Sequence, residues 1–220
     1  MVDKTQFKDL AAFFRQKPVR PYRRNQIILH QDDPLTFMYY LAKGYVKAYS
    51  ILETGDERTV FILGPGDLFP RPSSIDTFKE GHRLRHYYET LSDVEAGYHN
   101  SDEFFEATET NPRLQKLLME HVIATNRELT EHLEALKTKN AIDKVAHVLP
   151  YLVNKCGTAR SIETFEIEPK ITHQEIADLA GVSRETASVQ IKQLEQEGVL
   201  SQERNTWTIH MAKLRQRLEA

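Results

Sequence analysis

Cysteine is all but missing from this 220-residue chain: Cys156 is the only one. A single thiol excludes an internal disulfide framework and any cluster held by several thiolates of one chain. A reducing cytoplasm is the compartment that suits it. Long apolar runs are missing too. None approaches the roughly 20 residues that cross a bilayer as a helix. Phe13-Phe14 lies between charged and polar residues, so neither a signal-peptide core nor a membrane partner is expected. Net basic charge is absent: 29 Lys and Arg stand against 32 Asp and Glu, a formal charge of −3. Even from Lys170 to Ala220, seven basic residues meet seven acidic ones. A nucleic-acid partner would therefore have to be met by charge displayed on one face, with weak non-specific binding and a modest salt slope. What is there, 40% hydrophobic and 28% charged residues, is the composition of one or two folded domains of a soluble protein.

The most informative stretch is residues 171–200, ITHQEIADLAGVSRETASVQIKQLEQEGVL. Thr172 with Glu175 three residues on is a capping box. Ile176, Leu179 and Ala180 recur at helical spacing. Gly181 stands where a helix stops and the backbone needs a positive φ. Ser183 caps a second helix, whose buried stripe is Ala187, Ile191 and Leu194, and Gly198 ends it. This is the pattern of a helix-turn-helix. It leaves Arg184, Glu185, Ser188 and Val189 at the exposed start of the second helix, the part that can enter a major groove. Gly198-Val199-Leu200, polar residues 201–205 and Thr206-Trp207-Thr208-Ile209 then read as a two-stranded wing. A wing makes DNA binding a sharper reading than an ordinary helical hairpin.

Upstream the rhythm differs. Residues 4–16 read as a short helix with Phe7, Leu10, Ala11 and Phe14 on one face. Arg15, Lys17, Arg20, Arg23 and Arg24 form a basic cluster around Pro18 and Pro21, read as a solvated edge. From about Val19 to His99, short strands alternate with Gly, Pro and Asp turns: 27–29, 37–41, 45–52, 57–63, 82–91 and 94–99. That spacing points to a small β-barrel or roll. Residues 70–81 break it as a loop or insertion. Asn111 and Pro112 open a long helix over 113–137, roughly 40 Å long at 1.5 Å per residue. Leu118, Val122, Thr125, Leu129, His132 and Leu136 fall at spacings of four and three, a heptad seam that suits a parallel two-chain coiled coil. His132 in that seam would face its mate. Residues 141–154 form a further helix, with Pro150 expected to kink it, and 163–167 a strand.

Roll, long helix and winged helix in this order resemble the CRP/FNR superfamily of bacterial transcription regulators. The most specific pieces are residues 63–69 (LGPGDLF), Lys43-Gly44, 172–177 (THQEIA) and 181–186 (GVSRET). The resemblance covers nearly the whole chain. It implies an α+β chain: a cyclic-nucleotide-binding-like β-roll (jelly-roll) sensor over 1–109, a dimerisation helix over 110–139, and a winged helix-turn-helix over 140–220. It further implies a homodimer on a palindromic double-stranded operator, RNA polymerase as a candidate partner, a small-molecule effector of unknown identity, and no enzymatic activity. Glu185, Ser188 and Arg184 match base-reading positions of the family. Val189 stands where a second arginine is usual, so the half-site should depart from the common consensus, Val189 offering a thymine methyl contact instead of a guanine pair. Thr172, His173 and Gln174 match positions that contact phosphate, which set register; Arg204, Asn205 and Thr206 of the wing are weaker candidates.

The effector pocket departs from the cyclic-nucleotide pattern. After Gly66-Asp67 comes Phe69-Pro70-Arg71-Pro72, with no glutamate. Arg83 and Arg85 precede Leu84 and His86 rather than a hydroxyl residue. Cyclic AMP control is therefore not expected. Arg71, Arg83, Arg85, Tyr87 and Tyr88 could line a pocket for another anion or an aromatic ligand, or be plain surface and barrel residues. No metal or cofactor is expected. His82 and His86 lie four apart on a strand, and nothing in the spacing of His30, His82, His86 or His121 supports a haem. Cys156 reads as a packing residue. A barrel enzyme or binding protein of the cupin type with a helical tail remains as an alternative. It needs a His/His/Glu metal set that the strands do not group. A winged helix for RNA or protein is a third.

Overall fold

The computed structural model describes residues 8–15, 18–71, 83–203 and 206–219. Residues 4–7 of the expected first helix, Gln16, Lys17, residues 72–81 of the expected insertion, His82, and Arg204-Asn205 of the wing lie outside the described residues. The chain divides into two compact units, residues 1–57 with 61–126, and residues 58–60 with 127–220. The division falls inside the long helix rather than near residues 138–140.

The first unit opens with α1 (Lys8–Arg15) and β1 (Val19–Tyr22), followed by β2 (Ile27–Leu29), β3 (Phe37–Lys43), β4 (Val46–Ile51) and β5 (Glu57–Leu63). The strands close with β6 (Leu68–Phe69), β7 (Tyr87–Thr90) and β8 (Val94–Asn100). They form two four-stranded sheets in the orders β1-β8-β3-β6 and β2-β7-β4-β5. Alternation along the strands sends Leu41, Val46, Ala48, Phe69, Tyr88 and Ala96 into one cluster between them. The stretch expected to be a basic edge is indeed at an edge, but as strand β1, paired only with β8. Pro21 is tolerated there because one side of an edge strand needs no amide donor. Gly44 turns β3 into β4 at φ 83°, where a Cβ would stand 2.2 Å from the Asp93 carbonyl oxygen. Only glycine fits such a position.

Two helices follow, α2 (Ser101–Thr110) and α3 (Pro112–Ala135). The Asn111 carboxamide oxygen accepts from the amides of Arg113 and Leu114 and so caps α3. Leu10 and Phe14 of α1, Phe104 of α2 and Leu114 of α3 pack with Met38 and Leu68 in a second apolar cluster.

In the second unit, α4 (Ala141–Cys156) runs past Pro150, two residues beyond its expected end. Then come β9 (Gly157–Ala159), β10 (Thr164–Ile167), α5 (His173–Ala180), α6 (Arg184–Gln196), β11 (Leu200–Glu203), β12 (Thr206–His210) and α7 (Met211–Leu218). The last helix has no counterpart in the sequence reading. The small sheet runs β11-β12-β10-β9, so the wing is its β11–β12 edge. Val145, Leu149, Ile176, Leu179, Ile191 and Trp207 are among the buried residues of this unit. Trp207 donates its indole N–H to the Ile171 carbonyl at 2.9 Å, which ties the wing to the entrance of α5. Cys156 is buried, its Sγ 3.3 Å from the Leu152 carbonyl oxygen.

Candidate nucleic-acid interface and roll interior

Local hydrogen bonds set the geometry of α5 and α6. The Thr172 hydroxyl accepts from the Glu175 amide at 3.2 Å, and the Glu175 carboxylate accepts from the Thr172 amide at 2.6 Å, completing the capping box. Gly181 takes φ 63° and stops α5, with its amide returned to the Asp178 carbonyl. Ser183 caps α6 by accepting from the Thr186 amide at 3.1 Å. Two helix ends are thus fixed within three residues of one another, and the start of α6 is thrust outward.

Arg184 and Glu185 are exposed there, and Val189 is 63% exposed. Glu185 titrates below the usual carboxylate range because its own backbone amide and the Ser183 side chain hydrogen-bond to it, with Arg184 adding a favourable charge. It is therefore anionic at neutral pH. Ser188 is half-buried and committed within the protein. Its hydroxyl donates to the Arg184 carbonyl at 2.9 Å and lies 2.9 Å from His173 Nδ1. One hydroxyl carries one proton, so Nδ1 of His173 is the donor in the second contact. His173 in turn packs edge-on against Trp207, ring centroids 5.6 Å apart. Thr172 is exposed, and Gln174 donates to the Asp178 carboxylate at 2.7 Å.

Residues singled out along α3 divide by exposure. Leu118, Thr125, Leu129 and His132 are half-buried within the chain, as is Leu136 just beyond the helix. The strongly exposed apolar side chains are Met119 at 57%, Val122 at 55%, Ile123 at 61% and Leu133 at 64%. That stripe is displaced from the expected seam by about one residue, or ~100° around the axis. The expected seam largely coincides with the face the chain covers itself, which carries Leu114, His121, Glu128 and His132. His132 does not point to a mate. It packs on Tyr151 of α4, ring centroids 4.9 Å apart, and hydrogen-bonds to the Leu179 backbone. Glu128 pairs with Lys155 of α4 at 2.8 Å, both side chains largely buried.

The four expected effector residues are not brought together. Arg83 is exposed and donates to the Asp32 carbonyl at 2.8 Å. Arg85 is exposed, and Tyr87 stacks on Tyr49 at 5.1 Å on the outer side of β7. Only Arg71 reaches inward: its guanidinium carbon lies 4.0 Å from the centroid of the buried Phe61 ring, and its amide donates to the Tyr88 hydroxyl at 3.0 Å. His86, which the sequence reading considered only as a ligand to metal or haem, sits edge-on to Phe61 and 2.9 Å from the Ser50 hydroxyl. Strand alternation is the signal that separates these sets, since His86 and Tyr88 share a face that Arg85 and Tyr87 do not. Among the described residues no group of three His, Cys, Asp or Glu could hold a metal ion, and no helix is long and apolar enough to cross a membrane.

Comparison with known proteins agrees with this geometry. A cyclic nucleotide-binding domain model matches residues 19–111, and a Crp-like helix-turn-helix domain model matches residues 143–217. The Cyclic AMP receptor protein of Thermus thermophilus is 30% identical over 192 residues, which is 87% of this chain and 82% of that protein. The chain belongs to the CRP/FNR family of transcription regulators. The Global nitrogen regulator of a Nostoc species is similar at 25% identity over 94% of each chain. In the solved structures, FixK2 from Bradyrhizobium japonicum superposes with a TM-score of 0.74 at 21% identity, over 92% of this chain and 96% of that one. This CRP/FNR protein is accordingly a DNA-binding transcription regulator, not an enzyme. The barrel-enzyme alternative is set aside by that membership.

Proposed function

We propose that this CRP/FNR regulator works in the cytoplasm as a homodimer, paired along α3, that reads an inverted-repeat operator with the first half of α6. The observation that carries the reading is the exposed tip formed by Arg184, Glu185 and Val189, held by caps on both sides of Gly181. Glu185, ionised at neutral pH, suits the N4 donor of a cytosine. Arg184 suits a guanine edge or a phosphate. Val189 suits a thymine methyl. Ser188 and His173, hydrogen-bonded to each other, keep α6 in register with α5. Thr172, His173 and Gln174 at the start of α5 face phosphate in this arrangement, where an exposed helix N-terminus is favourable. The apolar stripe of Met119, Val122, Ile123 and Leu133 supports pairing of two copies. RNA polymerase is the further partner this role calls for.

Cyclic AMP is not the signal in this reading. Arg71 stands where a cyclic-nucleotide binder needs a glutamate, and Arg83 is spent on the Asp32 carbonyl at the surface.

Selection of bound sites from random duplex DNA tests the proposal. An inverted repeat with half-sites about one duplex turn apart supports it. A Val189→Arg variant should gain a guanine preference at one position per half-site, by about 1–3 kcal/mol of discrimination. Sites without two-fold symmetry, or a motif unmoved by that substitution, overturn it.

A further inference from the structure

Among the described residues, the Arg71 side chain is a buried cation without a counter-ion. All three of its guanidinium nitrogens are buried, and none has a hydrogen-bond acceptor. Most ionisable groups escape such a position by losing their charge, but a guanidinium does not deprotonate in a protein. A buried, uncompensated charge costs several kcal/mol. The stack on Phe61 offsets part of that, about 2 kcal/mol when desolvated, and supplies no hydrogen bonds. The position is complete only when an anion enters.

We infer that the roll interior binds a small organic monoanion, a carboxylate on a flat apolar body, through a two-point contact with the Arg71 guanidinium.

The surroundings decide the class of ligand. The walls beside Arg71 are aromatic: Phe61 lies under the guanidinium, Tyr88 is buried and stacked on Phe69 at 5.6 Å, and His86 meets the edge of Phe61. His86 titrates below its usual value, first because it is buried and then because Arg85 and Arg71 stand near it. It is neutral at physiological pH and adds no second charge. One cation in an apolar box matches one negative charge. A phosphate dianion would be left half-neutralised in a low-dielectric site. A planar carboxylate fits the fork of a guanidinium with two parallel hydrogen bonds. The Ser50 hydroxyl and the His86 ring are the polar groups available to orient the rest of the ligand. A link to the rest of the first unit exists as well. Arg71 follows β6, whose Leu68 amide donates to His121 Nε2 on α3 at 3.4 Å.

Binding stands apart from the operator reading above; only its regulatory consequence rests on that reading. The test uses the full chain, purified and stripped of small molecules by unfolding and refolding. Thermal shift and calorimetry are run with benzoate, hexanoate and acetate, with benzamide and hexanamide as neutral counterparts, and with inorganic phosphate and cyclic AMP. The expected result is saturable binding of benzoate or hexanoate, at least about thirtyfold tighter than the matching amide, with no response to phosphate or cyclic AMP. Arg71→Met should abolish the preference for acid over amide. It should also leave the melting temperature of the ligand-free protein unchanged or higher, because an unpaired buried charge has been removed. A structural role for Arg71 predicts the opposite, a clear drop in melting temperature. The proposal is overturned if none of the three carboxylates binds at millimolar concentration. It is equally overturned if the acid preference survives Arg71→Met, or if phosphate or cyclic AMP binds as tightly. Failure here leaves operator selection untouched, and failure there leaves this binding measurement untouched.

Discussion

Replacing Ile123 with aspartate should separate the dimer without unfolding the chain. Ile123 is 61% exposed in the single chain, and Met119, Val122 and Leu133 are exposed to a similar degree. Full burial of such a side chain contributes about 1.5–3 kcal/mol. Covering what is still exposed therefore contributes roughly 1–1.5 kcal/mol each, or about 8–12 kcal/mol for both copies together. Association itself costs about 4–15 kcal/mol in lost freedom of motion. The stripe is thus near balance and has little margin. Ile123→Asp removes about 2–3 kcal/mol of burial per dimer and places two carboxylates at the seam, with a desolvation penalty at least as large. The sum, about 4–6 kcal/mol, weakens the dimer by roughly a thousandfold or more. Sedimentation equilibrium over a concentration series reads the constant, and far-ultraviolet circular dichroism confirms that the fold survives. Glu131→Ala, exposed on the opposite side of α3, is the control and should change nothing. A wild-type protein that stays monomeric at micromolar concentration refutes the reasoning. So does an Ile123→Asp protein that pairs as tightly as wild type.

Three further outcomes follow from contacts inside each unit. His132 and His86 both titrate below the usual 6.5, burial being the first cause in each. The unfolded chain takes up these protons first, so their contribution to stability is complete above that value and is lost as the pH falls through the lower folded values. The melting temperature should hold near neutrality and decline in mild acid, by at most about 1.4 kcal/mol per pH unit for each histidine, and His132→Gln should flatten the decline. Glu128→Gln should cost about 3 kcal/mol in a urea melt, since it leaves Lys155 charged and largely buried, whereas Glu128→Leu with Lys155→Met should recover most of the loss. Gly181→Ala should cost only about 1 kcal/mol, because its φ of 63° is strained for alanine but nothing lies within 4 Å of the added Cβ. Gly44→Ala, with a carbonyl oxygen 2.2 Å away, should fail to accumulate as folded protein.

Much of the DNA-facing half was legible from the chain because its determinants are local. Thr172, Glu175, Gly181 and Ser183 act on backbone groups within three or four residues of themselves, so their spacing alone marks where two helices start and stop. The roll strands were legible for the same reason, through alternation and turn residues, although short β6 and edge strand β1 escaped notice. The wing could be read from its two runs; the helix after it could not, having no strong cap and a single buried residue, Leu214.

Position along a helix or strand says which residues share a face, but not what that face meets. The heptad pattern on α3 was real, yet its half-buried members are covered by the chain itself, and His132 found Tyr151 rather than a mate. Three arginines and a tyrosine near β6 and β7 looked equivalent in sequence, and burial separated them, sending Arg83, Arg85 and Tyr87 outward and Arg71 onto Phe61. The sequence by itself determined the order of modules, the helix ends and the reading tip of α6, because hydrogen-bond chemistry between near neighbours requires no knowledge of the rest of the fold. The tertiary structure alone decided which apolar stripe of α3 stays uncovered and which cation is left alone inside the roll, because burial depends on residues that are far apart along the chain.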